Sequence, residues 1–266
     1  MVHRYRGTFT VFEGVDGTGK GVAIDSIADA LRAEGLVVLD LCHFWKKYPS
    51  LPKWTDKPFS ENSSIPLNSF DVLISEEPTY SWIGAALRQE VIAKNSRQYS
   101  AHMTAELYAA DRMLLYQRVL LPALEAGKHV IQSRCVLSSM VYQPLQEILH
   151  DENPLTIEDV LQLEGNKFVL EHAPNLLLLA TVPDVTMLTE RFAQRKKKDD
   201  AIFEEIGFLR KIKNAYESER LRSIFESYGT NVWTLDASIS PEKTAWQAVT
   251  FYMQRFPEIF HKKREI

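Results

Sequence analysis

Short runs of Val, Ile and Leu recur along the chain, separated by longer stretches in which apolar residues return every three or four positions. Six runs read as strands: "TFTVFE" from Thr8, "LVVLDL" from Leu36, "DVLIS" from Asp71, "KHVIQS" from Lys128, "NLLLLAT" from Asn175 and "NVWTLDA" from Asn231. Apolar runs of this kind, alternating with helical patterns, imply parallel strands joined by crossover helices. In the first helix Ile24, Ile27, Ala28 and Leu31 share one face and Gly35 supplies a stop. The periodicity predicts further helices at residues 83–94, 104–125, 157–170, 185–198 and 206–227. The expectation is an α/β fold of three layers, a mainly parallel central sheet between helices.

The pattern breaks between Cys42 and Asp71. Pro49, Pro52, Pro58 and Pro66 interrupt any helix, and Trp45, Trp54, Lys46, Lys47, Lys53 and Lys57 gather there. An inserted loop is expected over about 43–70, read either as a surface excursion covering a sheet edge or as a flap or partner contact. No internal repeat is visible, so residues 1–266 read as a single domain, and "HKKREI" at the end reads as a solvated tail.

The 266 residues, 45% hydrophobic and 25% charged, suffice for a full core. A net charge of −4 argues against a general nucleic-acid binder, whose phosphate contacts demand a clustered basic excess. Cys42 and Cys135 lack the spacing of a disulfide framework or zinc site. With no apolar signal core and no membrane-length run, the expectation is a soluble, cytoplasmic protein with neither membrane nor nucleic-acid partners.

The chemistry gathers first in "FEGVDGTGKG", Phe12 to Gly21. Here G-x-x-x-x-G-K lies between a predicted strand and an amphipathic helix, the setting in which a phosphate-binding loop works. Gly14, Gly17 and Gly19 let the backbone curl so that its N–H groups point inward, and the helix start at Gly21 and Val22 adds positive potential. Lys20 then neutralises β- and γ-phosphate oxygens. Glu13, Asp16 and Thr18 complete the expected nucleotide-binding set. Gly21 stands where Ser or Thr normally supplies a hydroxyl to Mg²⁺, and Thr18 is a candidate substitute.

Four segments in one order resemble the thymidylate kinase family. They are the phosphate loop itself, "EEPTYSWIGAALR" with Glu77, Pro78, Gly84 and Arg88, the stretch from "TAELYAADR" to "SSMVYQ" with Arg112, Arg134, Ser138, Tyr142 and Gln143, and "PNLLLLATVPDVTMLTERFAQRKKKDD". The resemblance covers most of residues 8–235. It implies a P-loop NTPase-type sandwich, ATP and Mg²⁺ as cofactors, a small nucleotide substrate and a homodimer, for which the stripe Leu107, Leu114 and Leu121 is available, although core packing explains that stripe equally.

By the same resemblance Arg88 and Arg134 would hold the acceptor's phosphate, Arg112 and Gln143 would read its base, and Tyr108 would stack on it. Glu77 is a candidate for positioning sugar or metal. A lid over about 191–206 would bring Arg191 and Arg195, one helical turn apart, over ATP. Phosphoryl transfer between two anions needs such charge, because catalysis rests on positioning and electrostatics.

Three departures stand out. Gly21 lacks the metal-facing hydroxyl. Ser133 and Cys135 replace the outer residues of an Asp-Arg-Tyr, and Asp199 is followed by Asp200 in place of arginine. The expected activity is ATP-dependent phosphorylation of a pyrimidine deoxynucleoside monophosphate, dTMP first. Two alternatives stay open: a deoxynucleoside kinase, suggested by "EPTYSW" with Glu77 as base, and a nucleotide-binding protein that has lost catalysis.

Overall fold

The computed structural model describes residues 4–55, 64–93, 95–147, 154–194 and 206–261. Eight strands occur among them: β1 (Phe9–Gly14), β2 (Val38–Asp40), β3 (Lys53–Thr55), β4 (Ser64–Pro66), β5 (Val72–Glu76), β6 (His129–Ser133), β7 (Leu176–Thr181) and β8 (Asn231–Asp236). All six strands anticipated from the apolar runs form one sheet, in the order β2-β5-β6-β1-β7-β8. Every neighbouring pair in it is parallel. Successive residues of a strand face opposite ways, yet Val11 and Phe12 are both wholly buried. The sheet must therefore be covered on both faces.

Helices provide that cover. On one face α1 (Lys20–Ala33) packs against α12 (Pro241–Arg255), which runs on to α13 (Pro257–His261). On the other, α4 (Ala101–Leu115) packs against α6 (Val136–Glu147) and α8 (Glu164–Glu171). Wider turns over Tyr116–Leu120 join α4 to α5 (Leu121–Glu125), and similar turns extend α3 (Trp82–Ala86) to Ile92. The three-layer α/β/α fold is as the sequence implies.

Helix boundaries differ from the periodic reading in two places. The segment 157–170 is two helices, α7 (Ile157–Gln162) and α8, broken where Leu163 takes an extended ψ of 132. The segment 206–227 splits into α10 (Ile206–Tyr216) and α11 (Glu219–Ser227), because Ser218 caps α11 with its side chain. Helix α9 (Thr186–Gln194) is described only that far. Residues 195–205, most of the anticipated lid, lie outside the described residues.

The stretch 43–70 opens on a helix, α2 (Leu41–Lys47), and not on a loop. The Asp40 carboxylate accepts from the Cys42 amide at 2.8 Å to start it, and the chain turns extended at Tyr48 ahead of Pro49. Trp45 and Leu51 are buried. Strands β3 and β4 pair in parallel, while Trp54 donates its Nε1 hydrogen to the Val119 carbonyl at 3.1 Å and rests on the Phe70 ring.

Close backbone approach fixes some glycines and leaves others free. A Cβ at Gly165 would lie 2.2 Å from the Ala109 carbonyl oxygen, so α8 meets α4 only without a side chain there, whereas Gly207 in α10 has open space. Gly165→Ala is expected to destabilise the protein by about 1–3 kcal/mol through overpacking. Gly207→Ala should stabilise it by about 0.5–1 kcal/mol through helix propensity. Denaturant unfolding of the two variants checks both signs.

Candidate active site

The carboxyl ends of β1, β5 and β6 open into a cleft of about 460 Å³ lined by Asp16, Gly17, Gly19, Lys20, Gly21 and Val22 on one side. Asp40, Ser75, Glu76, Ser133 and Arg134 face them. The loop is formed by geometry that L side chains rarely adopt: φ is 128 at Gly14, 86 at Gly17 and 80 at Gly19. A Cβ on Gly14 would also sit 2.1 Å from the Ala180 carbonyl oxygen of β7. Gly19 caps α1, whose first residue is Lys20.

Lys20 reaches back over the loop, its Nζ donating to the carbonyls of Gly14 at 2.8 Å and Val15 at 3.0 Å. Burial, reinforced by the charge of Arg134, lowers its pKa to about 8, against the pull of Asp16, 3.9 Å away. Asp16 itself is pushed upward by burial, but Arg134 and then Lys20 prevail and hold it at about 2.

Arg134, just past β6 with φ of 66, donates to Asp16 at 2.5 Å and to the Ser138 hydroxyl at 2.9 Å. Its guanidinium lies 5.4 Å from the Tyr142 ring centre, and Tyr142 donates to the other Asp16 oxygen at 3.3 Å. Arg88, from the turns after α3, donates through Nη2 to Glu76 at 3.0 Å and to the Pro78 carbonyl. Half-buried Tyr108 stands within the fields of Arg134, Arg88 and Arg112, and burial pushes its phenol up to about 12. Lys20, Asp16 and Arg134 thus line one cleft, with Arg88 and Tyr142 bonded to its lining residues Glu76 and Asp16. Arg191 joins it, donating to the Gly17 carbonyl at 3.3 Å and the Ala237 carbonyl at 2.7 Å. Arg195 lies outside the described residues.

Several expected site residues are placed elsewhere. Glu13 is fully buried: its carboxylate accepts from the amides of Cys135 at 2.8 Å and Ser138 at 3.0 Å and from the hydroxyls of Ser138 and Tyr216, each at 2.9 Å. Thr18 is 1% exposed and donates its hydroxyl to the Val15 carbonyl at 2.8 Å, inside the loop. Arg112, also 1% exposed, donates to Glu77 at 2.7 Å, Asn166 at 2.5 Å and Ser139 at 3.0 Å, so that each of its three nitrogens is engaged inside the fold. Glu77 accepts from Arg112 and from Gln132 at 2.9 Å, which takes it away from sugar or metal. Burial raises its pKa to about 7 even though Arg112 opposes the rise. Gln143 is buried as well, and its Oε1 has no hydrogen-bond partner among the described residues. Pro78 follows Glu77 through a cis peptide bond.

Sequence reasoning missed Tyr216, which ties α10 to Glu13 and Ser138, because no motif marks it. It gave Asp111, within the "AADR" motif, no role. That carboxylate holds the loop after β5 by accepting from the Thr79 amide at 2.8 Å and hydroxyl at 2.7 Å.

A family model described as thymidylate kinase matches residues 64–247, well over half of the chain. The chain belongs to the thymidylate kinase family. Among curated relatives, the thymidylate kinase of Halalkalibacterium halodurans is 28% identical over 252 residues, covering 94% of this chain and 98% of that protein. That of Lactobacillus helveticus is 26% identical over 257 residues, covering 96% and 100%. A probable thymidylate kinase of Pyrococcus abyssi is 32% identical over 142 residues, 52% of each. Among solved structures, thymidylate kinase from Candida albicans superposes with a TM-score of 0.59 over 97% of this chain and 96% of that one. At 18% identity that likeness speaks for the fold alone. The family match begins after the phosphate loop, whose assignment rests on its glycine geometry and on Lys20.

Lys20 gives the site a pH signature. Its pKa of about 8 lies below the ordinary lysine value, and contact with phosphate oxygens favours the charged form and raises it. Below pH 8 lysine is charged in both free and bound protein, so this group adds no slope. Above pH 8 binding must take up a proton, and ADP affinity should fall by as much as about tenfold per pH unit. Titration calorimetry from about pH 6.5 to 9.5 should show this fall, and Lys20→Met should flatten it.

Proposed function

We propose that the chain transfers the γ-phosphoryl group of ATP to a pyrimidine deoxynucleoside monophosphate, dTMP above others, forming dTDP. One observation carries this reading: Arg134, bonded to Asp16, lines the same cleft as Lys20, and Arg88, from a segment far away in sequence, is bonded to Glu76 of that cleft's wall. The fork of arginine suits an acceptor phosphate, and lysine suits the β- and γ-oxygens of the donor. Arg191, bonded to Gly17, stands by the donor side. Tyr108 offers a ring to the base, and the unpartnered Oε1 of Gln143 suits a base N–H. In this reading these groups bind and orient both anions, which is most of what phosphoryl transfer requires.

Mg²⁺ belongs to the same proposal. Among the described residues no group of three or more His, Cys, Asp or Glu side chains could hold a metal ion. Kinase Mg²⁺ needs no such cage, since it keeps waters and phosphate oxygens and takes one or two carboxylates. With Thr18 and Glu77 engaged inside the fold, Glu76 is the carboxylate that fits. It lines the cleft, its side chain is 28% exposed, and it pairs with Ser133 across β5 and β6. Bound between Glu76, the Ser133 hydroxyl and the phosphates, Mg²⁺ would neutralise charge on the transferring group.

A homodimer in the cytoplasm completes the reading. No helix among the described residues is long and apolar enough to cross a membrane. The deoxynucleoside kinase alternative is not favoured, because both oxygens of its would-be base, Glu77, are taken by Arg112 and Gln132.

Release of ADP from ATP and Mg²⁺, measured with dTMP, dUMP and thymidine in turn, tests the proposal. Turnover is expected with the monophosphates and not with thymidine, and absence of turnover with any monophosphate overturns it. A gain-of-function variant probes the metal. Nothing lies within 4 Å of a Cβ built on Gly21, so Gly21→Ser should fold unimpaired and lower the Mg²⁺ needed for half-maximal ADP binding several-fold, read by calorimetry.

A further inference from the structure

Helix α2 reaches Arg88 through a stack of side chains. The Arg88 guanidinium lies over the Tyr80 ring, 3.6 Å from its centre. The Tyr80 ring in turn neighbours the indole of Trp45, with centres 6.0 Å apart and planes tilted by 35°. Trp45 is 3% exposed, seated on α2, which the Asp40 cap begins beside the cleft.

Arg88 is constrained in its own plane as well. Its Nε donates to the carbonyls of Pro78 at 3.1 Å and Thr79 at 3.2 Å, and its Nη2 to Pro78 and Glu76. These bonds leave Nη1 without an acceptor among the described residues. The carbonyls that grip it belong to a turn that is itself held: Asp111 accepts from Thr79, and Gly84 packs so close that a Cβ on it would fall 2.4 Å from the Thr79 oxygen. In-plane bonds fix where the fork points along the cleft, but not its rotation about the bonded edge. The Tyr80 face supplies that restraint, and Trp45 limits the ring's motion from the side.

We propose that Tyr80 and Trp45 are positioning residues for the acceptor phosphate, acting through Arg88. The work of Trp45 on α2 is then to help orient an arginine. This rests on the proposed function, in which Arg88 binds the monophosphate.

The test uses the full chain with Tyr80→Leu, which removes the ring, and Tyr80→Phe, which keeps it. Tyr80 is 40% exposed, so neither change threatens folding as a change at Trp45 does. Tyr80→Leu is expected to raise the KM and the calorimetric Kd for dTMP about 3- to 30-fold, the range of a cation–π contact. The KM for ATP should stay within about twofold, and Tyr80→Phe should return the dTMP constants to within about threefold of the parent. Trp45→Phe, checked by its melting temperature, should show a smaller rise of the same kind. A dTMP affinity unchanged in Tyr80→Leu, or equal losses for ATP and dTMP, overturns the positioning role while leaving the kinase reading intact. If the parent protein neither binds nor phosphorylates any monophosphate, the kinase reading falls and takes this proposal with it.

Discussion

The site depends on one buried carboxylate. Glu13, at the end of β1, has no exposure and answers its charge with two amides at the start of α6, the Ser138 hydroxyl and the Tyr216 phenol. An anion at a helix start is favoured by the unpaired amides and by the helix dipole, and in a dry interior each bond counts for more. Four contacts converge on one side chain, so β1, α6 and α10 cannot drift apart. The phosphate loop that begins at Gly14, and Arg134 two residues before α6, inherit their relative positions from this knot.

Charge around the cleft is arranged in pairs that are incomplete by design. Asp16 and Arg134 satisfy each other, Glu76 and Arg88 do likewise, and both pairs keep part of each side chain open. The Glu77–Arg112 pair is the opposite case, sealed at 4% and 1% exposure. Breaking such a pair leaves an uncompensated buried charge, so its weight is in holding α4 to β5.

All six sheet strands were legible because a doubly covered sheet demands unbroken apolar runs. The phosphate loop was legible because only glycines take its backbone angles. Helices α6 and α12 were not. Val136, Leu137, Met140 and Val141 are buried in α6, but so are the polar Ser139 and Gln143, and Pro144 inside it reads as a helix break. In α12 the buried stripe is narrow, Thr244, Ala248 and Tyr252, with a hydroxyl at its head. Within the site, Lys20, Asp16, Arg134 and Arg88 could be read from local motifs. The direction of Arg112 could not, because Glu77, Asn166 and Ser139 decide it from 35, 54 and 27 positions away. The same distance hid the duty of Glu13: a carboxylate beside a phosphate loop looks alike in sequence whether it faces a ligand or a helix.

The bonds of Lys20 to its own loop carry a consequence for turnover. An ammonium folded onto the carbonyls of Gly14 and Val15 has a resting place whenever the cleft empties. A departing diphosphate strands no bare cation in a poorly hydrated hollow, so the exit step is spared the climb that an unaccompanied charge would impose. Arrival costs the same two bonds, which trims the grip on the donor while quickening its exchange.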